Sequence, residues 1–445
     1  MKRLLTFAIL ACVLAAFVGP GALAQETVSI TARCMSSPPT EDWRCNNFAM
    51  VKEAVEAQLG ITIDLTLIQD NPGWGDYKNE FVLASEAGQA PDIILSGHED
   101  IGAWGEAGII IPIDDLIPNY PEFEDIVPSL WEPMMYKGQI WGIPQDAEAR
   151  PLFYSKLLLR DLGWSEEEID ALPEQIRTGE FTFEDMIAVA KQAVDEGVVE
   201  VGNGFWHRPT NGPDFLYFYF GMGGEVMDDE GNLLFDSDAV LEVYQLFARM
   251  RELGVMTDNH LGIEWVDWYA TEGAAEDVLF IVGGTWHWQN LAVNYVADRG
   301  GEEYLRENLG AALVPALKTG VPITLTHPLA YLISADSEHA DVAMALIAAI
   351  TTPEANNRHA IDSSHLGILT TQIESPEYAD TILGEWHYML DYTTALPNHP
   401  GWNSWSEAYW LGIRAVESGE LTPEAALQTV IDQITNELGD QVIIR

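Results

Sequence analysis

Residues Thr27 to Leu67, TVSITARCMSSPPTEDWRCNNFAMVKEAVEAQLGITIDLTL, decide the fold. Thr27 to Ala32 open a strand-like run. After a loop with two cysteines, Phe48, Val51, Val55 and Leu59 recur at the spacing that places apolar side chains on one helix face, and Gly60 ends that helix. Ile61, Ile63, Leu65 and Leu67 then alternate, as a half-buried strand does. Working outward, a second helix from about Asp76 to Ala87 stops at Gly88, and Pro91-Asp92 lead into the short buried strand Ile93-Ile94-Leu95. Strand, helix, strand, helix, strand predicts an α/β lobe whose parallel sheet is covered on both faces. Further on, Thr182 with Asp185 reads as a capping box, and Ser237 precedes a helix carrying Leu241, Tyr244, Met250 and Leu253 before Gly254. Thr422-Pro423 supply the cap and first turn of a last helix with Leu427, Val430, Ile431, Ile434 and Leu438 on one face. Between these, Asp228 to Asn232 predicts a hairpin turn, because its glycine is misplaced for a calcium loop.

The chain has 445 residues, with 70 Asp and Glu against 21 Lys and Arg, for a formal net charge of −49. A surface that negative repels phosphate backbones and anionic lipid, which excludes nucleic acid and peripheral membranes as partners. Lys2, Arg3, the apolar run Leu4 to Val18, the break Gly19-Pro20-Gly21 and then Ala22-Leu23-Ala24 have the layout of an export signal over 1–24. Cleavage is expected before Gln25, in preference to lipid attachment at Cys12; the rival reading is an uncleaved anchor helix. No later stretch is apolar for long enough to span a membrane. Export leaves Cys34 and Cys45 in an oxidising compartment on either side of a short loop, which predicts a disulfide between them over a pair of reduced buried thiols.

Motifs for catalysis are missing. There is no Gly-x-Ser-x-Gly elbow, no Walker phosphate loop and no His-Glu-x-x-His, and neither Gly202-x-Gly204 nor Gly221-x-Gly223-Gly224 continues into a dinucleotide fingerprint. The ten histidines are scattered singly and the acids are too many to single out a glycosidase pair, so nothing asks for an enzyme, a cofactor or a metal. What stands out is tryptophan, 15 in all, with Trp43, Trp74, Trp206, Trp286, Trp288, Trp402 and Trp405 at places that read as loops. Flat apolar rings beside carboxylates suit a sugar, whose C–H faces stack on aromatics while its hydroxyls bond to Asp, Glu and Asn. Any single one of these rings could equally fill a core.

The order of several segments resembles the extracellular solute-binding proteins of ABC importers, the family 1 group that includes the maltose receptors. Ala103-Trp104, Gly108 and Pro112-Ile113-Asp114 are similar to the segment after that family's third strand. Gly138-Gln139-Ile140-Trp141-Gly142-Ile143-Pro144 with Leu152-Phe153-Tyr154-Ser155-Lys156 resembles its crossover, with Ser155 where Asn is usual. Gly283-Gly284-Thr285-Trp286 resembles its Gly-x-Trp turn, Val314-Pro315 and the helix Ala340 to Thr351 its next strand and helix, and Leu396-Pro397-Asn398 with Trp402 its C-terminal segment. The likeness implies a two-lobed α/β fold of the periplasmic-binding-protein type II, with parallel-dominated sheets and hinge crossings. It divides the chain into lobe 1 at 25–147, lobe 2 at 148–324, a return to lobe 1 at 325–366, and C-terminal helices of lobe 2 at 367–445, with crossings near Ala147, Thr324 and Gly367.

Open sheets bind ligands at loops beyond the C-terminal ends of their strands. That rule and the likeness together select Trp43, Glu99, Asp146, Trp206, Asn211, Trp286, Trp402 and Trp405 as ligand-binding residues. The Gly-x-Trp likeness makes Trp286 the strongest choice; carboxylates and Asn211 would take hydroxyls and the rings would take sugar faces. The function expected is a monomeric receptor on the periplasmic or extracellular face of the envelope, closing around a sugar or oligosaccharide and delivering it unchanged to the permease subunits of the importer. A receptor for a cationic or zwitterionic solute such as a polyamine or peptide is the first alternative, and a secreted carbohydrate hydrolase the second. An anionic ligand is disfavoured unless folding assembles Arg33, Arg44 and Arg150. So large an excess of acids also points to a charge-screening medium, since self-repulsion opposes compaction. The unfolding midpoint is therefore expected to rise from low to molar NaCl; a flat response removes the saline-habitat idea.

Overall fold

The structure, a computed structural model, describes residues 26–37, 40–228 and 230–445. The expected leader 1–24, Cys12 and the cleavage point at Gln25 lie outside the described residues, as does Asp229 in the expected turn. The first lobe contains β1 (Thr27–Met35), α1 (Trp43–Leu59), β2 (Thr62–Asp70), α2 (Trp74–Glu86), β3 (Ile93–Gly97), α3 (Asp100–Ala107) and β4 (Gly142–Pro144). The second contains β5 (Leu152–Ser155), α4 (Phe183–Asp195), β6 (Phe205–Trp206), α5 (Ser237–Glu252), β7 (Phe280–Val282) and β8 (Leu309–Ala312). The chain then returns through β9 (Leu329–Ile333), α6 (Ala340–Ile350) and α7 (Pro353–Ser363), and ends in α8 (Trp402–Glu417) and α9 (Pro423–Leu438).

The first sheet has the order β2-β1-β3-β9-β4 and the second β8-β5-β7-β6. β1 runs parallel to β2 and β3, as the alternating pattern predicts, while β9 is antiparallel to both β3 and β4. In the second sheet β5 is antiparallel to β7 and β8, and β6 is parallel to β7. Both faces of the first sheet are covered. Ile30, Ala32, Ile93, Leu95, Tyr331 and Ile333 pack in one core with Phe48 and Val55 of α1 and most of α6. Ile94, Ala330 and Leu332 point the other way, into a core with Tyr77 and Phe81 of α2 and Ile101 and Trp104 of α3. The period of two along β3 and β9 thus assigns each residue to its helix layer.

Local signals act where the sequence places them. Gly60 caps α1 in the left-handed conformation, Thr182 and Asp185 form a reciprocal capping box at α4, and the Thr422 hydroxyl accepts from Ala425 N–H with Pro423 in the first turn of α9. At α5, Ser237 is the first helical residue and Asp236 the cap, one position earlier than the pattern suggests. Met227 bridges Leu233 across the turn at 228–232, where Asp228 N–H donates to Asn232 O.

Cys34, near the end of β1, and Cys45, in the first turn of α1, form a disulfide across a separation of 11 residues. The loop it closes begins at the strand end, so the bond fixes where α1 starts relative to the sheet. Chain-entropy arguments for a loop this short give about 2–3 kcal/mol of stability. The Cys34→Ala/Cys45→Ala double variant, or the protein kept in reductant, should unfold at correspondingly lower urea; coincident curves would show that the loop is ordered without the bond.

Candidate functional site

Three stretches of backbone run side by side between the lobes. Ala147 N–H donates to Leu366 O at 3.0 Å and Leu366 N–H returns the bond to Ala147 O. Arg150 N–H donates to Thr324 Oγ1 at 2.8 Å, and that hydroxyl donates to Arg150 O at 3.0 Å. Charged side chains are buried on both sides of this bundle. Asp146 accepts from Leu329 N–H at 3.0 Å, from Arg44 Nη2 at 3.4 Å and from His359 Nε2 at 3.2 Å. Burial alone would raise its carboxyl, but His365, His359 and Arg44 hold it well below the usual range. On the lobe 2 side, Arg150 donates through Nε to Glu148 at 2.9 Å and through Nη1 to Asp214 at 2.8 Å, and Asp214 also accepts from Arg208 Nη1 at 2.7 Å. Arg150 and Arg208 likewise hold the Asp214 carboxyl down against its burial.

Next to the bundle, a cavity of about 210 Å³ takes its walls from both lobes. Glu99, from the loop after β3, and His327 line one side; Asn211, Phe215, Trp402, Asn403, Ser406 and Tyr409 line the other. Gly97 allows Glu99 to fold back over the strand end, because a Cβ there would lie 2.1 Å from Glu99 Oε2. Glu99 accepts from Lys78 Nζ at 2.6 Å and from His327 Nε2 at 2.7 Å. Burial works to raise its carboxyl, yet the His327 and Lys78 charges hold it well below the ordinary value. Asp100 shares Lys78 and is pushed up to about 6, by burial first and by the Glu99 charge second. His98, behind this wall, is pushed down to about 3 by burial and donates from Nδ1 to Asn398 Oδ1 at 3.1 Å. Two further cavities, of about 440 and 750 Å³, meet at Met135, Met227 and Asn398 and continue along the same boundary.

The cavity brings together Glu99, Asn211 and Trp402 of the sequence-predicted set. Asn211 donates from Nδ2 to Glu407 Oε2 at 2.8 Å, and Trp402 stacks on Trp405 with the rings 20° apart. Trp286 stands at the crossing, half-buried. The Arg150 guanidinium lies 4.7 Å from its ring centre, and His365 stacks alongside at 5.9 Å and 12°. Its turn requires Gly284, where a Cβ would fall 2.0 Å from the indole.

Four expectations take other positions. Trp405 is fully buried and donates its indole N–H to Leu234 O at 2.8 Å, so it belongs to the lobe 2 core. Trp206 donates to Gly202 O at 3.2 Å and lines a different groove of lobe 2, with Val198, Val201 and Glu276. Asp146 is committed to its three partners and is 1% exposed, which makes it an anchor of the crossing rather than a free acceptor. Trp43 joins α1 to α7, donating to Asp362 Oδ2 at 2.7 Å under the Arg358 guanidinium. The arginines named for an anionic ligand do not assemble: Arg33 is bound to Asp70 and Glu80, Arg44 to Glu41 and Asp146, Arg150 to Glu148 and Asp214.

Sequence reasoning missed His327, Ser406, Tyr409 and the Glu148-Arg150-Asp214-Arg208 chain. Glu148 and Arg150 carry a signal, since an acid and a base two residues apart in an otherwise apolar crossing have to find partners once buried. His327 and Ser406 carry none; only the fold brings them to the cavity.

Comparison with known proteins adds the family. The family model described as "Bacterial extracellular solute-binding protein" matches residues 49–357. A maltotriose-binding protein of Pyrococcus abyssi is 25% identical over 130 residues, and the match spans 29% of this chain and 28% of that relative. The maltodextrin-binding protein MdxE of Bacillus subtilis is 26% identical over 248 residues, 54% of this chain and 51% of its own length. Among solved structures, the GacH receptor of Streptomyces glaucescens, crystallised unliganded and with acarbose, superposes with a TM-score of 0.72 at 20% identity, over 93% of this chain and 99% of its own. That likeness extends to the two-lobed architecture. The chain belongs to the bacterial extracellular solute-binding proteins.

Proposed function

We propose that the protein is the exported receptor of an ABC importer for a neutral sugar or oligosaccharide, held between the lobes and passed to the permease unchanged. The observation that carries this reading is the cavity walled by Glu99 and His327 on one side and by Asn211, Trp402 and Tyr409 on the other. A ligand that contacts both walls stabilises the closed arrangement by its excess affinity for that form, and the transporter reads the closure. The names of the Pyrococcus and Bacillus relatives point to the same ligand class.

The charge balance of the cavity favours a neutral guest over a cation. Glu99, the carboxylate facing it, is already compensated by Lys78 and His327. A polyamine would have to displace these partners, whereas a hydroxyl can donate to the carboxylate's remaining lone pairs.

Maltodextrins of graded length should raise the thermal midpoint, as expected when ligand binds only the folded form, with a gain of about 2.7 kcal/mol in unfolding free energy at a hundredfold excess over Kd. Spermidine and short peptides should not. A shift with amines alone would replace the sugar reading, and release of shorter sugars from labelled oligosaccharide would turn the protein into a hydrolase. By calorimetry, Trp402→Ala and Asn211→Ala should weaken sugar binding by about 10- to 100-fold, the loss typical of a central contact. Trp206→Ala should leave affinity unchanged. Equal loss in all three variants would move the site away from this cavity.

A further inference from the structure

Three side chains from distant parts of the chain converge inside lobe 2, one layer behind the cavity wall. His207 follows β6, His260 opens the short turn His260–Gly262, and Glu417 is the last residue of α8. They are 2%, 0% and 2% exposed. One ligating atom of each lies within 4.8 Å of the other two. His207 Nε2 is 3.1 Å from Glu417 Oε2, and His260 Nδ1 is 3.2 Å from Glu417 Oε1.

The surroundings specify what the trio needs. Among the described residues no Lys or Arg pairs with the Glu417 carboxylate; its remaining partner is the backbone N–H of His260 at 3.2 Å. A carboxylate at this depth requires a compensating cation, whether a proton on a ring or a metal ion. The other nitrogen of His207 narrows the choice. His207 Nδ1 is 2.7 Å from Arg208 O, which can only accept, so Nδ1 carries the hydrogen and Nε2 turns toward Glu417 Oε2. An imidazole whose far nitrogen donates to a backbone carbonyl while its near nitrogen meets a carboxylate and a second imidazole has the support characteristic of a metal ligand. The two rings, with centres 4.2 Å apart, cannot both hold positive charge cheaply, and a single ion serves all three groups. Ligands at tetrahedral angles around zinc stand about 3.4 Å apart, given bonds of about 2.0–2.1 Å; the two imidazole nitrogens meet different oxygens of Glu417, so a small turn of the carboxylate that offers one oxygen to both, or chelation through both oxygens, completes the set.

The second cluster of this kind sets the contrast. Asp146, His359 and His365 also bring their ligating atoms within 4.8 Å of one another. There Arg44 already supplies the cation, 3.4 Å from Asp146 Oδ2, and its guanidinium would repel a metal.

We propose that His207, His260 and Glu417 bind one divalent metal ion, zinc by its donor set, as a tie joining three segments of lobe 2. The fourth position would fall to water or remain open to exchange. Because the donors are buried, the ion enters as the lobe folds. The tie would brace the segment 207–214, which carries Asn211 to the cavity, but the site is independent of which solute the receptor takes.

The test is metal content of the full exported chain, unfolded and refolded with either zinc or a chelator and then desalted in molar NaCl to strip ions held by surface acids. One zinc per chain by mass spectrometry, and a higher unfolding midpoint than the chelator-refolded protein, are expected. Cobalt in place of zinc should give the visible absorption of a four-coordinate site, which reads the ligands directly. Glu417→Gln and His260→Gln should each lower the retained metal at least tenfold, while His359→Gln should leave it unchanged. Wild-type protein with far less than one zinc per chain and equal midpoints with zinc and chelator would overturn the proposal in favour of a buried imidazolium–carboxylate pair. Full retention in the Glu417→Gln/His260→Gln double variant, or loss in His359→Gln instead, would overturn it equally.

Discussion

β9 governs the architecture. It is hydrogen-bonded to β3 on one side and to β4 on the other, yet of the five strands in its sheet it is the last to be made. Lobe 1 cannot complete its sheet until the chain has left, built the second lobe and come back. All five residues of β9 are buried, and they alternate between the α1/α6 layer and the α2/α3 layer, so neither core closes without it. The crossings, and with them a cleft between the lobes, follow from the strand order. So does a folding cost, because pairings made across such sequence distances form late.

Crossing segments that join two lobes are short of secondary-structure partners, and this chain supplies the deficit with charge. Cations are scarce, 21 against 70 acids, and two of the most deeply buried, Arg44 and Arg150, stand at the crossings. Arg44 reaches Asp146, and Arg150 joins Glu148 to Asp214. A buried pair of this sort contributes little net stability against its desolvation, but removal of one partner leaves an expensive orphan, so the pairing enforces one arrangement of the crossings.

The parts of the fold legible in the sequence are those set by local rules. The β1-α1-β2 unit, the capping box at Thr182, the glycine stops and the Thr422-Pro423 start depend on residues a few positions apart, and patterns of that range survive tertiary packing. The disulfide was legible too, because the two cysteines flank one short loop. The antiparallel insertion of β9 was not, since nothing within the Leu329–Ile333 stretch states its neighbours. Tryptophan misled for a related reason. Trp402, Trp405 and Tyr409 fall at helical spacing on α8, and only the first of the two indoles reaches the cavity, while Trp405 turns into the core. Treating the two tryptophans as loop residues removed the periodicity that separates those two fates. Asp146 misled because an acid beside a crossing looks the same in sequence whether it waits for a ligand or anchors the backbone; the distinction lies in Arg44 and His359, far away in the chain.

The paired state of the carboxylates bears on selectivity. An uncompensated acid in a closed cavity attracts any cation and discriminates poorly among them, whereas Glu99, already bonded to Lys78 and His327, offers directed lone pairs in fixed positions. A solute with hydroxyls at matching points satisfies those acceptors, and one without them leaves buried polar groups unmet, a penalty that separates close analogues more sharply than fit in an apolar slot. Lys78 is held in turn by Asp100, and Glu99 has room to fold back to it because Gly97 carries no side chain. On the reading proposed for the cleft, the wall is therefore set before the ligand arrives, and lobe closure brings Asn211 and the face of Trp402 to it. Much of the ordering entropy that binding would otherwise incur is then met by folding, which is where a receptor with a polar, largely neutral cavity gains its affinity.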